Sequence, residues 1–148
     1  MQTSHAVLVA SAVGVAHIWF AHRRHQQRLV LDAAKMHQHL LADIATDLGQ
    51  LTAWTPHDLS EEEYRALVNY NRLISFLSAK YRVGLLDKAA LRVQARALMT
   101  HASCRAYWAR FGAFREAEAM DDSTDRSFNR IFDDEYTAVA DATESVAA

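Results

Sequence analysis

Apolar residues are laid out along this chain in two distinct patterns. From Ala6 to Ala21 they form one almost continuous uncharged run, closed by His22-Arg23-Arg24-His25, and after it they recur every three or four positions. At 1.5 Å rise per residue the run spans roughly 24 Å of helix, and about 27 Å with His5 and His22, close to the ~30 Å hydrocarbon core of a bilayer. It predicts a transmembrane anchor. No Lys or Arg precedes the run and Arg23, Arg24 and Arg28 follow it, the reverse of a secretory signal peptide, so the segment is expected to stay attached. Basic residues are retained on the cytoplasmic side, which puts a short N-terminus outside and the rest of the chain inside the cell membrane. Ala6, Ala10 and Gly14 form a small-xxx-small stripe through which two copies can pack as a homodimer, although small residues are common in short anchors. His17 is the one ionisable side chain within the run and lies a turn from the interface, where an anchoring role suffices.

Beyond the run, Leu29, Ala33, Met36, Leu40, Ile44, Leu48 and Leu51 share one helical face, so the anchor is expected to continue as a helix. Gly49 and the stretch from Thr52 to Ser60, with the sole proline at Pro56, predict a break around Trp54. Ser60 and Glu63 form a capping box that opens a helix running to about Val83. Tyr64, Leu67, Asn71, Ile74, Leu77 and Tyr81 are its inner face, and Gly84 ends it. Asp87 caps the next helix, with Leu91, Ala95, Leu98, Met99 and Ala102 inward. Ser103 is expected to cap another through Ala119, carrying Tyr107, Trp108, Phe111 and Phe114. The last starts near Asp125 and buries Phe128, Ile131, Phe132 and Tyr136. No stretch alternates as a strand does. The expected fold is all-α, an N-terminal single transmembrane helix continuing into a small cytoplasmic bundle of about five helices. Its parts are an anchor over 1–22, a bundle over 23–137 and a frayed or disordered acidic tail over 138–148.

Charge is nearly balanced overall but segregated. Residues 22–64 carry a net −3, residues 65–115 a net +9 and residues 116–148 a net −8. The simplest reading is that the basic middle and acidic end pack together and neutralise each other. The sharper alternative is an anionic-lipid surface made of Lys88, Arg92 and Arg96, four apart on one helical face, with Arg23, Arg24 and Arg28. No recognition-helix pattern accompanies the basic residues, so nucleic acid is not expected. A lone Cys104 forms no internal disulfide and suits a reducing compartment; it reads as a packed side chain.

Catalytic chemistry leaves no trace in the motifs. Eight histidines invite a metal reading, but His22/His25 and His39/Asp43 are the ligand-spaced pairs and neither has a third partner nearby. There is no phosphate loop and no nucleophile elbow, so no enzyme, cofactor or metal is expected. Asn71 is the polar residue that stands out, because helical spacing sets its amide on the buried stripe between Leu67 and Ile74. An unpartnered buried amide costs about 1–3 kcal/mol, so a tyrosine, a backbone carbonyl or Arg105 is expected beside it. Asn71, Arg105, Tyr107, Trp108 and Arg115 make a candidate partner or ligand surface.

Asn71, Gly84, the run Arg105-Ala-Tyr-Trp108, Arg115 and the stretch Phe128 to Tyr136 resemble an uncharacterised actinobacterial, streptomycete-type family of short membrane-anchored helical proteins. The similarity covers about Gln38 to Tyr136. It implies the same helical fold and anchored topology and assigns no activity. The leading functional expectation is a membrane-anchored protein-interaction module, an adaptor or regulatory accessory for an unknown protein partner. The alternative is a lipid- or small-ligand-binding sensor at the inner membrane surface.

Overall fold

The computed structural model describes the backbone of residues 2–147 and the side chains of residues 17–142. Among the described residues it holds six helices and no strands: α1 (Gln2–Thr46), α2 (Leu48–Trp54), α3 (Glu61–Arg82), α4 (Lys88–Met99), α5 (Ala102–Glu118) and α6 (Ser123–Ala147). The chain divides into two compact units, Met1–Ala33 and Ala34–Ala148. In the first unit Ile18, Trp19 and Phe20 are 72%, 54% and 52% exposed, and the Arg23 guanidinium lies 5.5 Å from the Trp19 ring centre.

Among the described residues no helix is long and apolar enough to cross a membrane. The expected transmembrane helix is therefore without support in the structure. The side chains of residues 6–16, which make up most of that span and hold the stripe Ala6, Ala10 and Gly14, lie outside the described residues.

The second unit is built by capping as much as by apolar burial. Helix α1 ends earlier than apolar spacing predicts, because Asp47 takes an extended conformation and its carboxylate accepts the Gln50 N–H, restarting the chain as α2. Gly49 thus lies inside a helix rather than breaking one, and Leu51 on α2 is fully buried. The capping box at Ser60 and Glu63 forms as the sequence predicts. Helix α3 closes on Gly84 at φ +79°, where the Leu85 N–H reaches the Lys80 carbonyl and the Gly84 N–H reaches Tyr81. This pair of bonds satisfies carbonyls that the helix end leaves open and needs a left-handed residue. Asp87 caps α4 at the Ala90 N–H. Ser103 does not cap α5: the helix opens one residue after His101, whose side chain makes no cap bond. Asp122 accepts the N–H groups of Thr124 and Asp125, which starts α6 ahead of the expected Asp125. Helix α6 then runs to Ala147, past the expected end at 137; Val139 packs on the core and extends the apolar stripe one turn beyond Tyr136.

The main core gathers Ile74 and Leu77 from α3, Leu91, Ala95 and Met99 from α4, Cys104, Tyr107 and Trp108 from α5, and Phe128, Ile131 and Phe132 from α6. A satellite core joins Leu41, Ile44 and Ala45 of α1 to Val68 of α3, with Tyr64 against it. Across these faces the segregated charge is spent locally. Arg82 pairs with Asp122 and Asp125, Arg92 with Asp134 and Glu135, Arg96 with Glu135, and Arg110 with Asp58. Arg92 and Arg96, two of the three expected lipid-facing cations on α4, bond to carboxylates of α6 while their side chains stay solvent-exposed, and Lys88 is exposed as well.

Glu135 is 2% exposed, and the guanidiniums of Arg96 and Arg92 hold its carboxyl below the ordinary range for a glutamate. Its contribution is complete above that range and is lost as pH falls through the lowered value. Replacing Glu135→Gln should reduce unfolding free energy at pH 7 by about 1–2 kcal/mol, read by urea denaturation with intrinsic tryptophan fluorescence. Parent and variant should converge in acid. A deficit that persists there unchanged would mean that packing, not charge, is responsible.

Candidate functional site

Helical spacing places Asn71, Ser75 and Ser78 on one strip of α3, beside its apolar face. Tyr107, Phe111 and Arg115 share a strip of α5 in the same way. Where α3 and α5 face each other, with α1 and α6 alongside, they line a half-open cavity of about 490 Å³ within the second unit. Its walls are apolar, from Leu41, Tyr64, Leu67, Val68, Phe111 and Phe114. One side is polar, from Asn71, Ser75, Ser78, Tyr107, Arg115 and Asn129, and His37, Glu118 and Asp125 add titratable groups.

The polar side is tied into a chain. The Tyr107 hydroxyl donates to Asn71 Oδ1 at 2.9 Å, and Arg115 Nη1 donates to the Tyr107 oxygen at 3.2 Å. Ser75 Oγ donates to Asn71 Oδ1 at 3.3 Å. Asn129, 3% exposed on α6, donates from Nδ2 to the Arg115 carbonyl at 2.9 Å. The Arg115 guanidinium carbon lies 6.0 Å from the Phe128 ring centre. Its Nε is shut away from solvent with no acceptor. Every donor here is held by packing on a helix rather than by a loop, so the site is organised before anything enters it.

Burial pushes the Tyr107 phenol above its ordinary pKa, while Arg115 pulls the other way, so the hydroxyl keeps its proton and remains a donor at neutral pH. Loss of solvent around His37, followed by the charge of Arg115, pulls the imidazole below 6.5. His37 is accordingly neutral near pH 7. Cys104 sits apart in the main core, where burial raises its thiol to about 11, too high for a nucleophile at neutral pH. Among the described residues no group of three or more His, Cys, Asp or Glu side chains is placed to hold a metal ion.

The five residues expected to form one surface thus divide. Asn71, Tyr107 and Arg115 come together, with the tyrosine that Asn71 requires. Arg105 goes elsewhere, donating to the Met99 and Thr100 carbonyls at 2.8 and 2.9 Å and closing the end of α4. Trp108 faces α6, stacked on Phe132 with centres 5.2 Å apart and its Nε1 donating to Asp133. Gly112 allows this placement, since a Cβ there would meet Trp108 Nε1 at 3.1 Å. His37, Ser75, Ser78 and Asn129 were not predicted. The serines were legible in part, at four and seven residues from Asn71; Asn129 was not, because its position is next to an unbroken aromatic stripe and gives no periodic signal.

The model of a family of unknown function, DUF6082, matches residues 2–148, and the chain belongs to that family. No characterised protein and no solved structure is detectably similar.

The geometry around His37 can be read by histidine NMR titration. His37 should titrate below 6.5 in the parent and move part of the way back in Arg115→Gln, because desolvation, the larger cause, persists. Protonation in this window opposes folding, so stability associated with His37 declines as pH falls from 6.5 through the lowered value. An unchanged midpoint in the variant would separate the two residues.

Proposed function

We propose that this member of DUF6082 is a small-ligand-binding helical domain, a sensor or regulatory accessory, whose site is the cavity between α3 and α5. The observation that supports the reading is a single one: a cavity of about 490 Å³, with apolar walls and one hydrogen-bonded polar side containing Asn71, Tyr107 and Arg115. Cavities of this size and mixed lining are the usual form of small-molecule sites. The reading includes no catalysis: the ionisable groups near the polar side have no nucleophile paired with them, and the thiol is in the core. It places ligand recognition ahead of adaptor binding, with a protein partner as the receiver of the signal.

Titration of the chain with a mixed fragment library, followed by amide NMR, should give shifts confined to Tyr64, Leu67, Asn71, Phe111 and Arg115. Ser78→Leu, which fills the cavity from α3, should abolish them while leaving thermal stability within a few degrees of the parent. Shifts scattered over the surface, or binding that survives the filled cavity, would refute the assignment.

A second reading concerns the N-terminal unit, where exposed Ile18, Trp19 and Phe20 lie beside Arg23, the composition of a membrane interface. In this reading residues 1–22 attach the chain to the cell membrane, with Arg23, Arg24 and Arg28 on the cytoplasmic side. The intact protein should pellet with membranes and resist alkaline carbonate, and deletion of residues 2–22 should release it. Recovery of the intact chain in the soluble fraction would exclude this attachment.

A further inference from the structure

Five arginines of the second unit show what Arg115 lacks, while Arg65, Arg126 and Arg130, which have no ion pair among the described residues either, are exposed to water. Arg82, Arg92, Arg96 and Arg110 each hold a carboxylate, and Arg105 holds two backbone carbonyls. No ion pair among the described residues includes Arg115. Its one side-chain bond is from Nη1 to the Tyr107 hydroxyl, and its Nε has no acceptor. Arg72 also keeps a buried Nε without an acceptor, but Arg72 does not line the cavity and Arg115 does. A half-buried cation against apolar walls is a costly arrangement unless an anion completes it. The planar guanidinium fork matches a carboxylate, which takes two parallel N–H bonds. Asn71 extends the match: its Oδ1 is used by Tyr107 and Ser75, and its Nδ2 donates to nothing among the described residues.

We infer that the cavity binds a small monocarboxylic acid, its carboxylate on Arg115 and its apolar body against Leu67, Val68 and Phe111. This rests on the cavity being a ligand site. A single negative charge follows from the lining. Among the described residues Arg115 is the one guanidinium or ammonium group at the cavity, whereas Glu118 and Asp125 line it with carboxylates that oppose a second negative charge. Asp125 is already engaged by Arg82, and Glu118, one helical turn from Arg115, is exposed. The imidazole of His37, being neutral, supplies no second cation at pH 7. A phosphate monoester, a dianion near neutrality, is therefore disfavoured. A cavity of about 490 Å³ suits an acid of roughly 8–15 non-hydrogen atoms with an aliphatic or aromatic body.

Isothermal titration of the full chain with hexanoate and 4-phenylbutanoate, each against its primary amide, tests the class. The acids should bind at least ten-fold more tightly than the amides. Arg115→Met should remove that preference and leave amide binding in place. Arg115→Lys, which keeps the charge and guards against loss of folding in the methionine variant, should retain part of it. Glu118→Gln should tighten the acids a few-fold and leave the amides unchanged. Equal affinity of acid and amide in the parent, a preference that survives Arg115→Met, or tighter binding of hexyl phosphate than of hexanoate would each overturn the carboxylate assignment. If library fragments occupy the cavity but neither acids nor amides do, the ligand class is wrong while the site stands. If no fragment enters at all, the site itself is refuted.

Discussion

The bundle depends on one buried carboxylate. Glu135 sits on the inward face of α6, 2% exposed, with Arg96 bonded to both its oxygens and Arg92 to one. The same helix delivers Phe128 and Phe132 to the main core a turn or two earlier, so the ion pairs and the apolar stripe fix one register of α4 against α6. A one-residue slip would take Glu135 from both arginines, forfeiting three charge-assisted hydrogen bonds, and would turn Phe128 and Phe132 off the core at the same time. Charge here selects the same arrangement as hydrophobic burial. It also explains why a chain of net −2 can be so unevenly charged along its length.

That neutralisation gives Arg115 its meaning. Four carboxylates of the acidic C-terminal segment are engaged face by face: Asp122 and Asp125 on Arg82, Asp134 and Glu135 on Arg92, Glu135 again on Arg96. Arg115 lies on a helix flanked by these elements and still receives a hydroxyl rather than a carboxylate. Among the described arginines without an ion pair, Arg65, Arg126 and Arg130 are exposed to water and Arg105 holds backbone carbonyls, whereas Arg115 is half-buried at a cavity, an arrangement that suits a binding site where part of the charge matching is left to the ligand.

Most of the fold was legible because helix boundaries are written in local chemistry. The Ser60–Glu63 box, Asp87 and Gly84 appear where spacing and residue type predict them, since each satisfies backbone groups within a turn of itself. Errors arose where two local signals compete. Gly49 suggested a break, but the stronger signal was Asp47 two residues earlier; Ser103 suggested a cap, but the chain turns into α5 at His101. The site was half legible. Asn71 announced itself as an amide on an apolar stripe, and its need for a tyrosine was met by Tyr107. Which arginine completed the group was not legible: Arg105 and Arg115 differ by ten residues on one helix, so they point in different directions, and tertiary packing alone decides that Arg105 closes α4 while Arg115 turns to the cavity.

The order of donors along the polar side has a consequence for selectivity. Tyr107 is a neutral phenol whose proton is committed to Asn71, so its oxygen can only accept, and it accepts from Arg115 Nη1. This single contact orients the guanidinium without neutralising it, and leaves the remaining guanidinium donors for something else. A carboxylate there meets donors already positioned and has little ordering to impose. An amide or alcohol of the same shape desolvates the same cation and does not compensate its charge. Discrimination therefore comes from the ligands the site leaves uncompensated as much as from the one it holds, which is how a single arginine in an apolar cavity can separate an acid from its isostere.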